Sequence, residues 1–284
     1  MTVARLRSFS AAAVELGYTQ AAISQQIAAL EGDYKVSLLN RRPVTPTEAG
    51  ARLLEHAEPI LLRLDAARAD VTRMTLPPSA ALAVGMTPLA GGSPPLPPAL
   101  AALRQRMPRL DVTVQLGGRG NVLTAVARGD LDLGLTDGLA ARGDPLPGFA
   151  ELTAVGLSQV GVAVVLPPDH PLAGRACVRL ADLADARWIE APDVAPLAEI
   201  RRLAGVEGFR PAFRYDGSDT LSLIRLATAG HGLVLLPETA LPVTGLTTIP
   251  VTAPRLVHRL ELVHGTLRDG SPAAELAALL NPRH

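Results

Sequence analysis

Apolar residues recur at helical spacing in two short stretches near the start of the chain, with a break between them. Phe9, Ala12, Ala13 and Leu16 form one face of a predicted helix from Phe9 to Leu16. Gly17-Tyr18-Thr19 interrupts it. Gly17 suits the left-handed residue that ends many helices. Thr19 suits the cap of a second helix, its hydroxyl accepting free amides of the first turn. That helix is expected to turn Ala22, Ile23, Ile27 and Leu30 inward and to leave Gln20, Ser24, Gln25 and Gln26 facing out. Helix, short turn with glycine, helix is the signature of a helix-turn-helix. Neutral hydrogen-bonding side chains near the start of the second helix suit base-edge reading in a major groove. The same pattern also suits two packed helices of a small bundle with a polar surface.

A seven-residue period follows. Thr47 is the expected cap of a helix opening at Glu48. Leu53, Ala57, Ile60, Leu64, Ala67, Val71 and Met74 then repeat at alternating spacings of four and three, two positions in each heptad. Residues 48 to 75 as one helix would span ~42 Å. A long seam with no core of its own favours pairing with a second helix over lying on its own domain. Pro59 lies off the seam and is expected to kink the helix. Leu76-Pro77-Pro78-Ser79 reads as a linker.

Beyond the linker, strand and helix patterns alternate. Strands are predicted at 81 to 86, 111 to 116, 131 to 135, 160 to 167, 188 to 190, 213 to 215, 233 to 237 and 259 to 265. Helices are predicted at 96 to 106, 122 to 128, 198 to 203, 220 to 228 and 272 to 280. This alternation gives an α/β fold with mainly parallel sheets. Two such runs join near 158 to 160, with a late return, which implies two lobes around a cleft. In open α/β sheets ligands sit at the carboxyl ends of strands. That points to Thr87, Pro88, Gly118, Arg119, Thr136 and Asp137 in the first lobe, and to Asp193, Gly217 and Ser218 in the second. Arg119 suits pairing with an anionic ligand such as a carboxylate, although it also reads as a surface arginine on a glycine-rich turn.

Composition narrows the function. Net charge is zero, so no global field draws the chain to nucleic acid. Residues 1 to 75 hold nine Lys/Arg against eight Asp/Glu. DNA contact must therefore rest on local arginines and helix termini. Lys35 is the only lysine. Cys177 is the only cysteine, which excludes a disulfide framework and a cysteine-rich metal site. No signal-peptide pattern and no run of the ~20 apolar residues of a membrane span is present, so a cytoplasmic, non-membrane protein is expected. The six histidines lack a metalloprotease spacing, and there is no GxSxG elbow. GGRGNVL at 117 to 123 lacks the third glycine of a dinucleotide loop. Neither an enzyme nor a cofactor or metal requirement is expected. His231 in AGHGL reads as a helix C-terminal residue.

SFSAAAVELGYTQAAISQQIAALE, residues 8 to 31, resembles the helix-turn-helix of LysR-type transcriptional regulators. The resemblance continues through LLNRRPVTPTEAG as a wing and across the whole chain; DHPLAG (169 to 174) and GSDTLSLIRLATAGHGLVLLPE (217 to 238) fall where that family has similar segments. It implies three parts: a winged helix-turn-helix over 1–47, a dimerisation helix over 48–76, and a periplasmic-binding-protein-like effector domain over 80–284. Lobe I would take about 80–158 plus 267–284, and lobe II about 159–266. It also implies double-stranded DNA as partner, contacted by Thr19, Gln20, Ser24, Gln25, Arg41 and Arg42. The cleft segments named above would bind an unknown small-molecule effector. The chain would form a homodimer or homotetramer through Leu53, Ala57, Ile60, Leu64, Ala67 and Val71. The alternative is a small-molecule-binding protein of the same fold that has lost DNA binding. Four departures from the family pattern stand out. TVARLRSFS aligns with only the end of the first helix, so Met1 is expected to be an internal or misassigned start, or the reading frame to be degraded, with Phe9, Ala13, Ile23 and Ile27 partly uncovered. Lys35 stands where a glycine usually ends the recognition helix, and Leu39 where a phenylalanine is usual. The wing is shortened.

Overall fold

The computed structural model describes residues 1–75, 81–91, 95–241 and 246–281. The linker at 76 to 79 lies outside them. The chain divides into two compact units, Met1–Ala67 and Arg68–His284.

The first unit opens with α1 (Thr2–Leu6), α2 (Phe9–Leu16) and α3 (Gln20–Tyr34). Ser8 caps α2 by accepting from the Ala11 amide at 3.2 Å, and Thr19 caps α3 by accepting from Ala22 at 3.1 Å. Gly17 ends α2 at φ +71°, where a side chain would be strained. Strands β1 (Leu39–Arg41) and β2 (Val44–Pro46) form an antiparallel hairpin with Arg42 and Pro43 at its turn. The core is Val3, Ala12, Ala13, Ile23 and Leu39, with Leu6, Phe9, Ile27 and Val44 packed against it. Val3 and Leu6 of α1 supply cover on this face, and Ala13 and Ile23, expected to be partly uncovered, are buried. Leu16 and Leu30, expected inside, are exposed. The two buried alanines and short helices enclose too little volume to cover both ends of the apolar face. Lys35 adopts the left-handed conformation at φ +52°. Its amide and that of Val36 close α3 on the carbonyls of Gly32 and Glu31, as a glycine would.

Helix α4 (Glu48–Thr75) begins under its Thr47 cap, whose hydroxyl accepts from Gly50 at 3.0 Å. Along its seam Leu53 and Ala57 are half-buried, while Ile60, Leu64, Ala67 and Val71 are exposed in the single chain. The Met74 side chain lies outside the description.

In the second unit the strands are β3 (Ala81–Met86), β4 (Asp111–Leu116), β5 (Leu133–Ala141), β6 (Thr153–Val160), β7 (Val162–Leu166), β8 (Val178–Arg179), β9 (Arg187–Glu190), β10 (Arg210–Arg214), β11 (Val234–Pro237), β12 (Thr247–Ala253) and β13 (Leu256–His264). The helices are α5 (Pro88–Gly91), α6 (Leu96–Arg106), α7 (Arg119–Arg128), α8 (Leu197–Ala204), α9 (Thr220–Thr228) and α10 (Pro272–Leu280). Five strands form one sheet in the order β4-β3-β5-β13-β6. Alternate residues of β3 explain its two faces: Leu82, Val84 and Met86 join a core with α6 and α10, and Ala83 meets Val122 and Val126 of α7. The second lobe is built on β11-β7-β12-β8, with a separate parallel pair β10-β9. All five residues of β7 are buried, Val162, Val164 and Leu166 facing one core and Val165 the other.

Three expectations change here. The sheets are mixed: β3 runs parallel to β4 and β5, but β13 is antiparallel to β5 and β6, and β7 is antiparallel to β11 and β12. The return to the first lobe comes at β13, not at 267, because β13 hydrogen-bonds along the full length of β5. Strands β6, β8 and β12 were not anticipated. β6 exposes alternate small and polar residues at a sheet edge, and β8 has two residues, so neither carries a strong apolar alternation.

Candidate functional site

Two surfaces carry polar groups suited to binding. In the first unit, the α2–α3 pair sets Gln20 and Gln25 on the exposed side of α3, with Ser24 half-buried. Ile23 anchors the opposite side in the core. The Ser10 hydroxyl donates to Gln20 Oε1 at 2.9 Å, bridging the two helices across their turn. Thr19 is exposed, but its hydroxyl is engaged in capping. The hairpin carries Arg41 and Arg42, both exposed. Arg41 is not free: it pairs with Glu31 Oε2 at 3.0 Å and stacks 5.0 Å above the Phe9 ring. Glu31 also accepts the Leu38 and Leu39 amides at 2.8 and 3.1 Å. Burial raises its carboxyl, but these two amides and Arg41 outweigh it and hold the pKa below the ordinary value. Glu31 thus ties the hairpin to α3. Arg42 sits at the hairpin tip.

In the second unit a small cavity of about 60 Å³ opens between the lobes. Thr87, Leu89, Arg119, Asp137, Asp193, Pro196, Glu199 and His258 are among its walls. Four of the predicted residues therefore line it: Thr87 after β3, Arg119 at the start of α7, Asp137 within β5 and Asp193 on a loop. Asp137 is buried and fully engaged. It accepts from the Thr87 hydroxyl, from the Ala90 amide at 3.0 Å, and lies 2.7 Å from His258 Nε2. Arg119 opens α7 and donates to the Pro147 carbonyl. Behind it Glu261, 1% exposed, lies 3.5 Å from the guanidinium and also accepts from Arg259 at 2.6 Å and Leu146 at 3.2 Å. Burial pulls the Arg119 pKa down, while Glu261, Glu199 and Asp137 pull it back up. A Cβ at residue 118 would fall 2.2 Å from Asp193 Oδ1, so glycine there lets the Asp193 carboxylate lie against the start of α7.

The other expected residues fall outside the cavity. Thr136 is buried within β5, its hydroxyl without a partner, because alternate residues of a strand face opposite sides. Pro88 and Gly118 flank the walls without lining them. Gly217 and Ser218 follow β10, and the Gly217 backbone packs on the Tyr215 ring instead. Sequence reasoning missed Glu199 and His258. Glu199 projects from α8, where burial pushes its carboxyl above the ordinary value against the pull of the Leu139 amide, Arg202 and Arg119. His258 reaches the site from β13, a strand remote in sequence. Nothing local marks either residue.

Among the described residues no helix is long and apolar enough to cross a membrane, and no group of three or more His, Cys, Asp or Glu could hold a metal ion.

Comparison with known proteins bears on both surfaces. Residues 1–51 match the model of the bacterial regulatory helix-turn-helix protein, lysR family, and residues 77–279 match the LysR substrate binding domain. A probable hydrogen peroxide-inducible genes activator of Mycobacterium avium is 32% identical over 99% of this chain and 90% of its own. Full-length CbnR, solved in complex with its target DNA, superposes with a TM-score of 0.54 at 20% identity, covering 99% of this chain and 96% of that one. The BenM effector binding domain, solved with its effector benzoate, superposes with a TM-score of 0.57 at 17% identity, covering 71% of this chain and 90% of that one.

Proposed function

Since the chain belongs to the LysR family of bacterial regulatory helix-turn-helix proteins, we propose that it reads operator DNA through α3 and the hairpin and that a small molecule in the lobe cleft controls this output. It acts in the cytoplasm and is not an enzyme. The observation that carries the reading is α3 itself: a capped helix with Ile23 in the core and Gln20 and Gln25 exposed on its outer side. Such a helix offers hydrogen-bonding tips to base edges, with its N-terminus toward the groove. Arg42 is the better phosphate contact of the two hairpin arginines, since Arg41 is neutralised by Glu31. The exposed Ile60, Leu64, Ala67 and Val71 of α4 continue a heptad seam and support pairing with a second copy.

The cleft supports a particular effector chemistry. Asp193 and Glu199 line it, Asp137 being already engaged by Thr87, Ala90 and His258, and the one guanidinium, that of Arg119, is already engaged by Glu261 and the Pro147 carbonyl. An effector bearing positive charge or hydrogen-bond donors fits this wall better than the carboxylic acid that Arg119 alone suggests, and better than a benzoate-like acid. With Cys177 as the only cysteine, an intramolecular disulfide cannot be the signal.

The test is fluorescence anisotropy with the duplex flanking the gene against random duplex, at two salt concentrations. Affinity for both should fall as salt rises. Gln20→Ala should reduce the preference for the flanking duplex by roughly 5- to 100-fold while leaving the oligomeric state intact. Equal affinity of the wild type for both duplexes would leave the effector-binding protein without DNA function as the reading.

A further inference from the structure

We propose that Ser10 is a positioning residue for base readout, which holds the Gln20 carbonyl so that Gln20 meets the major groove as a hydrogen-bond donor. The inference rests on the reading of α3 as the recognition helix. Gln20 is the first residue of α3 and Ser10 the second of α2. The Ser10 hydroxyl donates to Gln20 Oε1 at 2.9 Å. Neighbouring hydroxyls have other work: Ser8 caps α2 and Thr19 caps α3. Buried Ala12 and Ala13 keep α2 close to α3, and the Gly17 turn sets the crossing that brings Ser10 and Gln20 together.

The amide of a glutamine can present either of two opposite faces. Paired with adenine it accepts from N6 through its carbonyl and donates to N7. A carbonyl already bonded to Ser10 leaves the NH2 group turned outward. That group matches the adjacent acceptors N7 and O6 of guanine, or O4 of thymine, and opposes the N4 donor of cytosine. Ser10 also fixes a side chain that otherwise loses rotamer freedom on docking. Without Ser10 the amide turns freely and reads adenine as well.

The experiment selects binding sites from a randomised duplex library with the full chain as wild type, Ser10→Ala, Ser10→Thr and Gln20→Ala. The position whose preference disappears in Gln20→Ala is the Gln20 position. Wild type should select guanine or thymine there. Ser10→Ala should reduce that preference over adenine at least about fivefold, with other positions, salt dependence and melting temperature unchanged. Ser10→Thr, which keeps the hydroxyl, should restore it. Adenine or cytosine selected by wild type would mean that the amide is reversed, with Ser10 accepting, and overturns the proposal. So would a Ser10→Ala profile identical to wild type. If Gln20→Ala leaves every position unchanged, the recognition-helix reading falls and this inference with it.

Discussion

The recognition surface and the lobe cleft are built in opposite ways. The first uses residues near one another in sequence, set on one short helix whose inner side holds Ile23. The second gathers Thr87, Arg119, Asp137, Asp193, Glu199 and His258 from six separate segments. The first surface stands over a small core of five buried residues, two of them alanine. The cleft stands between cores each about three times larger in buried residues. On the helix Gln25 is exposed, Ser24 is half-buried, and Gln20 and the Thr19 cap each hold one hydrogen bond. In the cleft Thr87, Asp137 and His258 are buried and interlocked, down to a carboxylate with three partners, while Asp193 stays exposed. A surface that must meet many sequences of DNA can remain open. A cleft that must recognise one small molecule is assembled in advance.

Breaking the cores should sharpen this contrast most. Ile23→Ala removes a side chain that is 3% exposed, and Leu133→Ala one that is fully buried in β5. Each should cost about 2–5 kcal/mol. In the first unit that loss exceeds what so small a core can supply. Hydrogen exchange should show Ile23→Ala abolishing protection in α2 and α3 while the strands β3 and β5 stay protected. Leu133→Ala should lower protection in the second unit only partly. Loss of protection spread evenly through the chain would contradict independent cores.

A smaller effect is expected at the end of α3. Lys35 holds a left-handed backbone at φ +52°. Lys35→Gly should stabilise the first unit by ~1 kcal/mol by removing the Cβ clash. A melting temperature that falls instead would show that the lysine side chain offsets the strain.

The smallest effect concerns pH and the cleft. Burial raises the Glu199 pKa above its ordinary 4.5. The folded state then holds this proton more tightly than the unfolded chain. Its contribution is greatest below 4.5 and is lost as pH rises through the folded value. Glu199→Gln should therefore flatten the fall in stability of the second unit between those limits. An unchanged pH profile would remove Glu199 from the account of the cleft charge.

Much of this was legible beforehand. Phe9–Leu16, Ala81–Met86, Leu96–Arg106, Asp111–Leu116, Thr220–Thr228 and Pro272–Leu280 all appear with their predicted limits, because each carries a local period, and three of the helices a side-chain cap as well. The Thr19 and Thr47 caps and the left-handed Lys35 follow from the same local chemistry. β6 and β12 did not announce themselves, because strands at edges and crossings draw their pairing from remote partners. At the cleft, strand-end reasoning found Thr87, Arg119, Asp137 and Asp193, since that rule depends only on the order of strands and helices. Pro88, Gly118, Thr136, Gly217 and Ser218, named by the same rule, lie outside the lining of this cavity, because the rule says nothing of which way a side chain points.

The sequence by itself determined the order of elements, the helix-turn-helix with its exposed glutamines, and the family. Those properties depend on contacts a few residues apart, which the hydrophobic period records. Only the tertiary structure decided that β13 returns to the first sheet and brings His258 to Asp137, that α8 sets Glu199 across from Arg119, and that Glu261 lies behind that arginine. The charge of the cleft is a sum over groups more than a hundred residues apart. No local pattern carries that sum, because burial and mutual distance, which fix the strength of each charge, exist only after the chain has closed.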